Sequence, residues 1–169
     1  TVGETVGICT TTAAIAVTAG KSVYYCVTLR NNGTVPLSQY TLTVASKTVA
    51  FTQALNPGQD IQLTSNVLTS LGKDGTILSQ LINGAAGSVL TNTVTITATN
   101  AERTVVASGK ATAHVVIGSV GLRVTKTVGL TDACPTTKGI AVDANTTVKY
   151  CVRMENTGSL PLLSHRLVD

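Results

Sequence analysis

The sequence predicts an all-β sandwich, and three observations carry that prediction. The side chains are those of strands: in 169 residues Thr occurs 30 times and Val 22 times, while aromatic residues make up 3%. Short apolar or alternating runs recur between turn signals along the whole chain. The chain also repeats itself at an offset of 125 residues, a normal length for one sandwich domain.

The elements follow in order. Ala14–Thr18 is a short apolar strand. Ser22–Arg30 alternates strictly, with Val23, Tyr25, Val27 and Leu29 on one face and Tyr24, Cys26, Thr28 and Arg30 on the other. Asn31-Asn32-Gly33 ends it as a turn. Gln39–Val44 and Thr48–Thr52 are the next strands, and Asn56-Pro57-Gly58 is the next turn. Asp60–Val67, Leu90–Thr99, Arg103–Ala107 and Lys110–Ile117 complete the first unit. Leu78–Asn83 has helix-like spacing through Ile77, Leu78, Leu81 and Ile82, which predicts one helical turn.

The repeat then restarts. Cys9 and Cys26 align with Cys134 and Cys151, and Val23, Tyr25 and Val27 align with Val148, Tyr150 and Val152. Asn31, Gly33, Pro36, Leu37 and Leu42 fall on Asn156, Gly158, Pro161, Leu162 and Leu167. Thr1-Val2-Gly3 resembles Thr127-Val128-Gly129 with one residue of slip. Leu122-Arg123-Val124-Thr125-Lys126 reads as a strand with no counterpart in the first unit. The expected organisation is therefore a sandwich repeat over residues 1–120 that lacks its first strand. Residues 121–169 are the opening part of a second repeat, either a truncated domain or a strand donor. A segment of that size cannot bury a core by itself.

Composition excludes several functions. A hydrophobic share of 43% with 12% charge rules out a disordered tail. Heptads are missing, and no run of 18 apolar residues offers a membrane span. The net charge of +4 comes from scattered single residues without aromatic neighbours, so nucleic acid is not an expected partner. The low charge is unusual for the surface of a soluble monomer.

The four cysteines form two pairs, each 17 residues apart, which favours disulfides Cys9–Cys26 and Cys134–Cys151 and an oxidising compartment. A zinc site or a redox thiol pair would want CxxC spacing. Alternation puts Cys151 between Lys149 and Arg153, so each disulfide is expected to staple the outer face of a sheet to the preceding loop. Such a staple contributes about 3 kcal/mol by loop closure.

Val124-Thr125-Lys126-Thr127-Val128, Cys134, Val148-Lys149-Tyr150-Cys151-Val152, Glu155-Asn156-Thr157-Gly158 and the Thr-Val alternation of residues 90–100 together resemble a known pattern. It is that of the immunoglobulin-like tandem repeats of large bacterial and archaeal surface proteins, a family long labelled only as a domain of unknown function. The resemblance spans most of the chain and implies secreted immunoglobulin-like modules that act as stalks, spacers or wall polymers.

Catalysis finds little support. His114 lies mid-strand, His165 aligns with Tyr40, and the acids are isolated. Lys73-Asp74-Gly75 reads as a plain turn rather than a calcium loop. No acid stands out to drive an amide bond between Lys126 and Asn92 or Asn100. No cofactor is expected. Asn32 and Asn145 head N-glycosylation sequons in turn-like positions, so covalent glycans are candidate attachments.

The expected function is structural: a building block of an extracellular fibre or a tandem surface array. Its partners are copies of itself, joined head to tail. The contact residues are Leu122, Arg123, Val124, Thr125, Lys126, Val148, Tyr150 and Val152, acting by strand addition. The alternative is a ligand- or sugar-binding adhesin module on a surface stalk, for which outward-facing Tyr24 is the best aromatic platform.

Overall fold

The structure, a computed structural model, describes residues 1–104 and 106–168. The chain is 46% strand and 6% helix, which makes it all-β. It divides into two compact units, Thr1–Gly118 and Ser119–Asp169, two residues from the expected boundary.

Unit 1 contains β1 (Val2–Gly3), β2 (Ala14–Val17), β3 (Ser22–Tyr25), β4 (Val27–Arg30), β5 (Leu37–Val44), β6 (Lys47–Leu55) and β7 (Asp60–Leu63). A helix, α1 (Ser65–Ser70), and a 3-10 turn over Gly75–Leu78 follow, then β8 (Ser79–Leu81), β9 (Val89–Thr99) and β10 (Val106–Ile117). One sheet has the order β2-β10-β9-β5-β6, antiparallel except for the parallel pair β2–β10. The other layer consists of the ladders β1-β3-β8 and β4-β7.

Strict alternation builds the core between these layers. In β9, Val94, Ile96 and Ala98 are buried while Thr93, Thr95 and Thr97 face outward. In β5, Tyr40, Leu42 and Val44 face inward, and Tyr40 stacks on Phe51 with ring centroids 5.0 Å apart. Val23, Tyr25, Val27 and Leu63 close the core from the other layer.

Four sequence expectations need correction. Ser22–Arg30 is not one strand: it breaks at Cys26 into β3 and β4, which pair with different neighbours. The disulfide to Cys9 holds that break. Cys26, expected on the outer face of the sheet, is buried at 4% exposure. The strand from Asp60 stops at Leu63, because extended Thr64 caps a helix by accepting the Val67 N–H on its Oγ1 at 3.3 Å.

The helical turn expected over Leu78–Asn83 lies one turn earlier. Asp74 caps it, accepting the Thr76 N–H at 2.9 Å and the Thr76 hydroxyl at 2.6 Å. Residues 79–81 are instead a strand on β3. The two predicted strands Arg103–Ala107 and Lys110–Ile117 are replaced by the continuous β10, with Val105 outside the described residues. Gly109 does not interrupt β10, and the spot above its Cα lies 3.7 Å from Ile96, an ordinary contact.

Unit 2 holds β11 (Leu122–Gly129) and β12 (Lys149–Asn156), paired antiparallel from Leu122↔Asn156 to Gly129↔Lys149. Val148, expected within the strand, sits half-buried just before β12. Residues 140–142, aligned with β2, form no strand. The reason is physical: β2 is held by pairing with β10, and unit 2 offers no such partner among its described residues.

Candidate functional site

The two units coincide rung by rung where the sequence repeats. In unit 1, Val2 faces Tyr25 and Gly3 faces Tyr24; in unit 2, Val128 faces Tyr150 and Gly129 faces Lys149. Val2 N donates to Thr12 O at 3.0 Å, and Val128 N donates to Thr137 O at 3.1 Å. The disulfides Cys9–Cys26 and Cys134–Cys151 have Cα–Cα distances of 5.2 and 5.3 Å.

Both loops press on a glycine of the strand beneath. A Cβ on Gly3 would meet Thr10 at 2.7 Å, and one on Gly129 would meet Pro135 at 3.0 Å. The turn after each strand is also shared. Asn31 Nδ2 donates to Val35 O while its Oδ1 accepts from Gly33 N; Asn156 does the same with Leu160 O and Gly158 N. This is the work of the Asn-x-Gly signature: it satisfies the backbone of a tight turn.

Beyond these rungs the units differ. In unit 2 the ladder runs five residues further, so Lys126, Val124 and Leu122 face Val152, Met154 and Asn156. Arg123 and Glu155 form an ion pair of 3.2 Å on the opposite face. Lys126 Nζ lies 4.6 Å from the centroid of the Tyr150 ring. Thr125 and Val152 are half-buried. Much of the apolar face of this ladder is exposed, although Val128 is buried: Leu122 is 51% exposed, Val124 54% and Tyr150 61%, whereas Tyr25, on the same rung of unit 1, is 3% exposed.

In unit 1 the corresponding edge is open. Thr1 N donates to Cys26 O at 2.9 Å and Cys26 N donates to Thr1 O at 3.0 Å, the last rung on that side. From there β4 pairs, among the described residues, with β7 alone. Across from it, β10 pairs with β2 only from His114 onward, so residues 106–113 also present a bare edge. Between the two edges lies a groove of about 410 Å³. Val27 and Leu29 line one wall and residues 107–111 the other, over a floor that includes Leu37, Tyr40, Leu55 and Ile96. The buried Tyr40 hydroxyl has no hydrogen-bond partner among the described residues, and burial raises its pKa.

Asn32 and Asn145 are both exposed, Asn145 in a turn with a φ of 66° and Asn32 on the rim of the groove. Tyr24 is half-buried on β3, which leaves little ring to serve as a sugar platform. His114 Nδ1 lies 3.1 Å from Thr91 Oγ1 on an exposed strand face. Among the described residues no cluster of three His, Cys, Asp or Glu side chains comes together, and no helix is long and apolar enough to cross a membrane. Sequence reasoning missed the groove itself. Its signal was the strand Leu122–Lys126, which precedes the residues that align with Thr1-Val2-Gly3. Comparison with family models, curated proteins and solved structures found no match.

Proposed function

We propose that this chain is a structural building block of an extracellular fibre or tandem surface array, extended head to tail by copies of itself. One observation carries the reading. Tyr150 is 61% exposed on a ladder whose equivalent in unit 1 buries Tyr25 to 3%, so among the described residues little covers this part of unit 2. A two-stranded ladder is marginal in water, and its apolar face needs a partner.

Unit 2 is read as the start of a second repeat of the immunoglobulin-like surface family that the sequence resembles. Two disulfides fit an oxidising, extracellular setting. Low surface charge fits a molecule with much of its Thr- and Val-rich surface in interfaces or under glycans on Asn32 and Asn145. Nothing in the reading requires catalysis or a cofactor.

Sedimentation velocity and negative-stain electron microscopy of the purified chain test the reading. The expected result is mass that grows with concentration, and rods of regular repeat. A monomer at millimolar concentration contradicts it.

A further inference from the structure

We propose that the Asn83-Gly84 step of unit 1 is a self-modification site, at which the folded chain converts Asn83 to aspartate and isoaspartate through a cyclic imide. The proposal is independent of the building-block reading.

The chemistry needs a carboxamide side chain followed by an unhindered main-chain nitrogen. The Gly84 nitrogen attacks Asn83 Cγ. The N–Cγ bond forms, the Cγ–Nδ2 bond breaks, and ammonia leaves with the proton that Gly84 gives up. Water then opens the imide. Attack at the side-chain carbonyl gives aspartate, and attack at the main-chain carbonyl gives isoaspartate, whose main chain runs through Cγ. Either product carries one more negative charge than the starting chain, whose net charge is +4.

Asn-Gly occurs twice in the sequence, at Asn32-Gly33 and Asn83-Gly84, and the structure separates the two. At the first, Gly33 N donates to Asn31 Oδ1 at 3.0 Å. Asn31 is buried, and its Nδ2 donates to Val35 O and Leu55 O, each at 2.9 Å. The attacking nitrogen is therefore fixed and must give up a hydrogen bond to react. At the second, Asn83 and Gly84 are both exposed. Neither the Asn83 carboxamide nor the Gly84 N–H has a hydrogen-bond partner among the described residues.

The fold also requires glycine at position 84. Its φ is 147°, and a Cβ there would meet Ile117 Cδ1 at 2.8 Å. The reacting nitrogen thus has beside it no side chain to hinder closure of the ring. Anchors flank the site. Ile82 is fully buried, donates its N–H to Lys21 O and accepts from Gly20 N, both at 2.8 Å. Gly87 N donates to Ile117 O at 2.7 Å. Residues 83–86 between these anchors belong to no strand or helix. The extra main-chain carbon of isoaspartate is absorbed there, with the ladders of β8 and β9 kept.

The full chain, made without glycosylation and with both disulfides formed, is incubated at mildly alkaline pH in heavy-oxygen water, folded and in urea. Peptide mass mapping reads conversion at each Asn-Gly step, and the heavy label marks conversion during the incubation. In the folded chain Asn83 should convert at least about fivefold faster than Asn32, the factor equivalent to one hydrogen bond. In urea the two rates should converge, since the Asn31 bond is gone. A smaller or inverted ratio in the folded chain overturns the proposal. So does a ratio unchanged in urea, because local sequence and not the fold would then set it. Asn83→Gln, which keeps an exposed amide, should remove most of the acidic species that accumulate on cation-exchange chromatography and leave the melting temperature unchanged. Accumulation at the original rate overturns the proposal.

Discussion

Replacing Tyr25 and Tyr150 by Ala, separately, perturbs the same rung of two equivalent ladders, and the outcomes should differ sharply. Tyr25 is 3% exposed, packs in the unit 1 core and donates its hydroxyl to Gln80 Oε1 at 2.7 Å. Truncating a buried aromatic of this kind costs about 3–5 kcal/mol. At about 4 °C per kcal/mol for a domain of this size, the unit 1 transition should fall by about 12–20 °C.

Tyr150 is 61% exposed and contacts Lys126 at 4.6 Å. Its loss removes an exposed cation–π contact of about 0.5–1 kcal/mol and little else. In dilute solution Tyr150→Ala should leave the unit 1 melting temperature unchanged. In the proposed assembly, if a neighbouring copy covers this face, its cost should approach that of Tyr25→Ala. Differential scanning calorimetry at low and high protein concentration reads both. Equal costs for the two variants in dilute solution would refute the view that the Tyr150 ring is exposed in the free chain.

Other outcomes follow from the same structure. The double variant Cys9→Ser with Cys26→Ser should lose about 3 kcal/mol of unit 1 stability in urea titrations, the entropy of a closed loop of this length. Thr64→Ala should cost about 1 kcal/mol by uncapping α1, with circular dichroism showing the sheet retained. Burial pushes the Tyr25 hydroxyl up to about 12 from an ordinary value near 10. The neutral form is therefore favoured by folding, and stability present below pH 10 should fall as pH rises toward 12. Absorbance titration of the phenolates, with Tyr25→Phe as control, measures it. Gly158→Ala should unfold the start of unit 2, because a Cβ there would meet Ser119 O at 2.5 Å and Gly121 N at 2.6 Å; loss of the Asn156 amide signals on NMR checks it.

Much of this was legible in the residues. Thr and Val alternation in residues 90–99 fixes β9 to within one residue, since one face must be apolar and the other need not be. The repeat, with its one-residue slip before the first cysteine, aligns Val2 with Val128 and Tyr25 with Tyr150, and each pair shares a rung in its own unit. What was not legible depends on partners far away in the chain. The break at Cys26 is invisible in a pattern that alternates through it, because it arises when β3 and β4 choose different neighbours, β8 and β7. The helix after Leu63 hides in Ser-Asn-Val-Leu, a run that also fits a strand until Thr64 turns to cap it. The groove is a property of two edges on different sheets, which no local pattern contains.

Hydrogen exchange across a concentration series tests the central claim most directly. The account predicts that amides of residues 122–129 and 149–156 exchange fast in dilute solution. They should become protected as concentration rises, while β9 stays protected throughout. Protection of those segments that is independent of concentration would contradict it, because the ladder of unit 2 would then need no other copy.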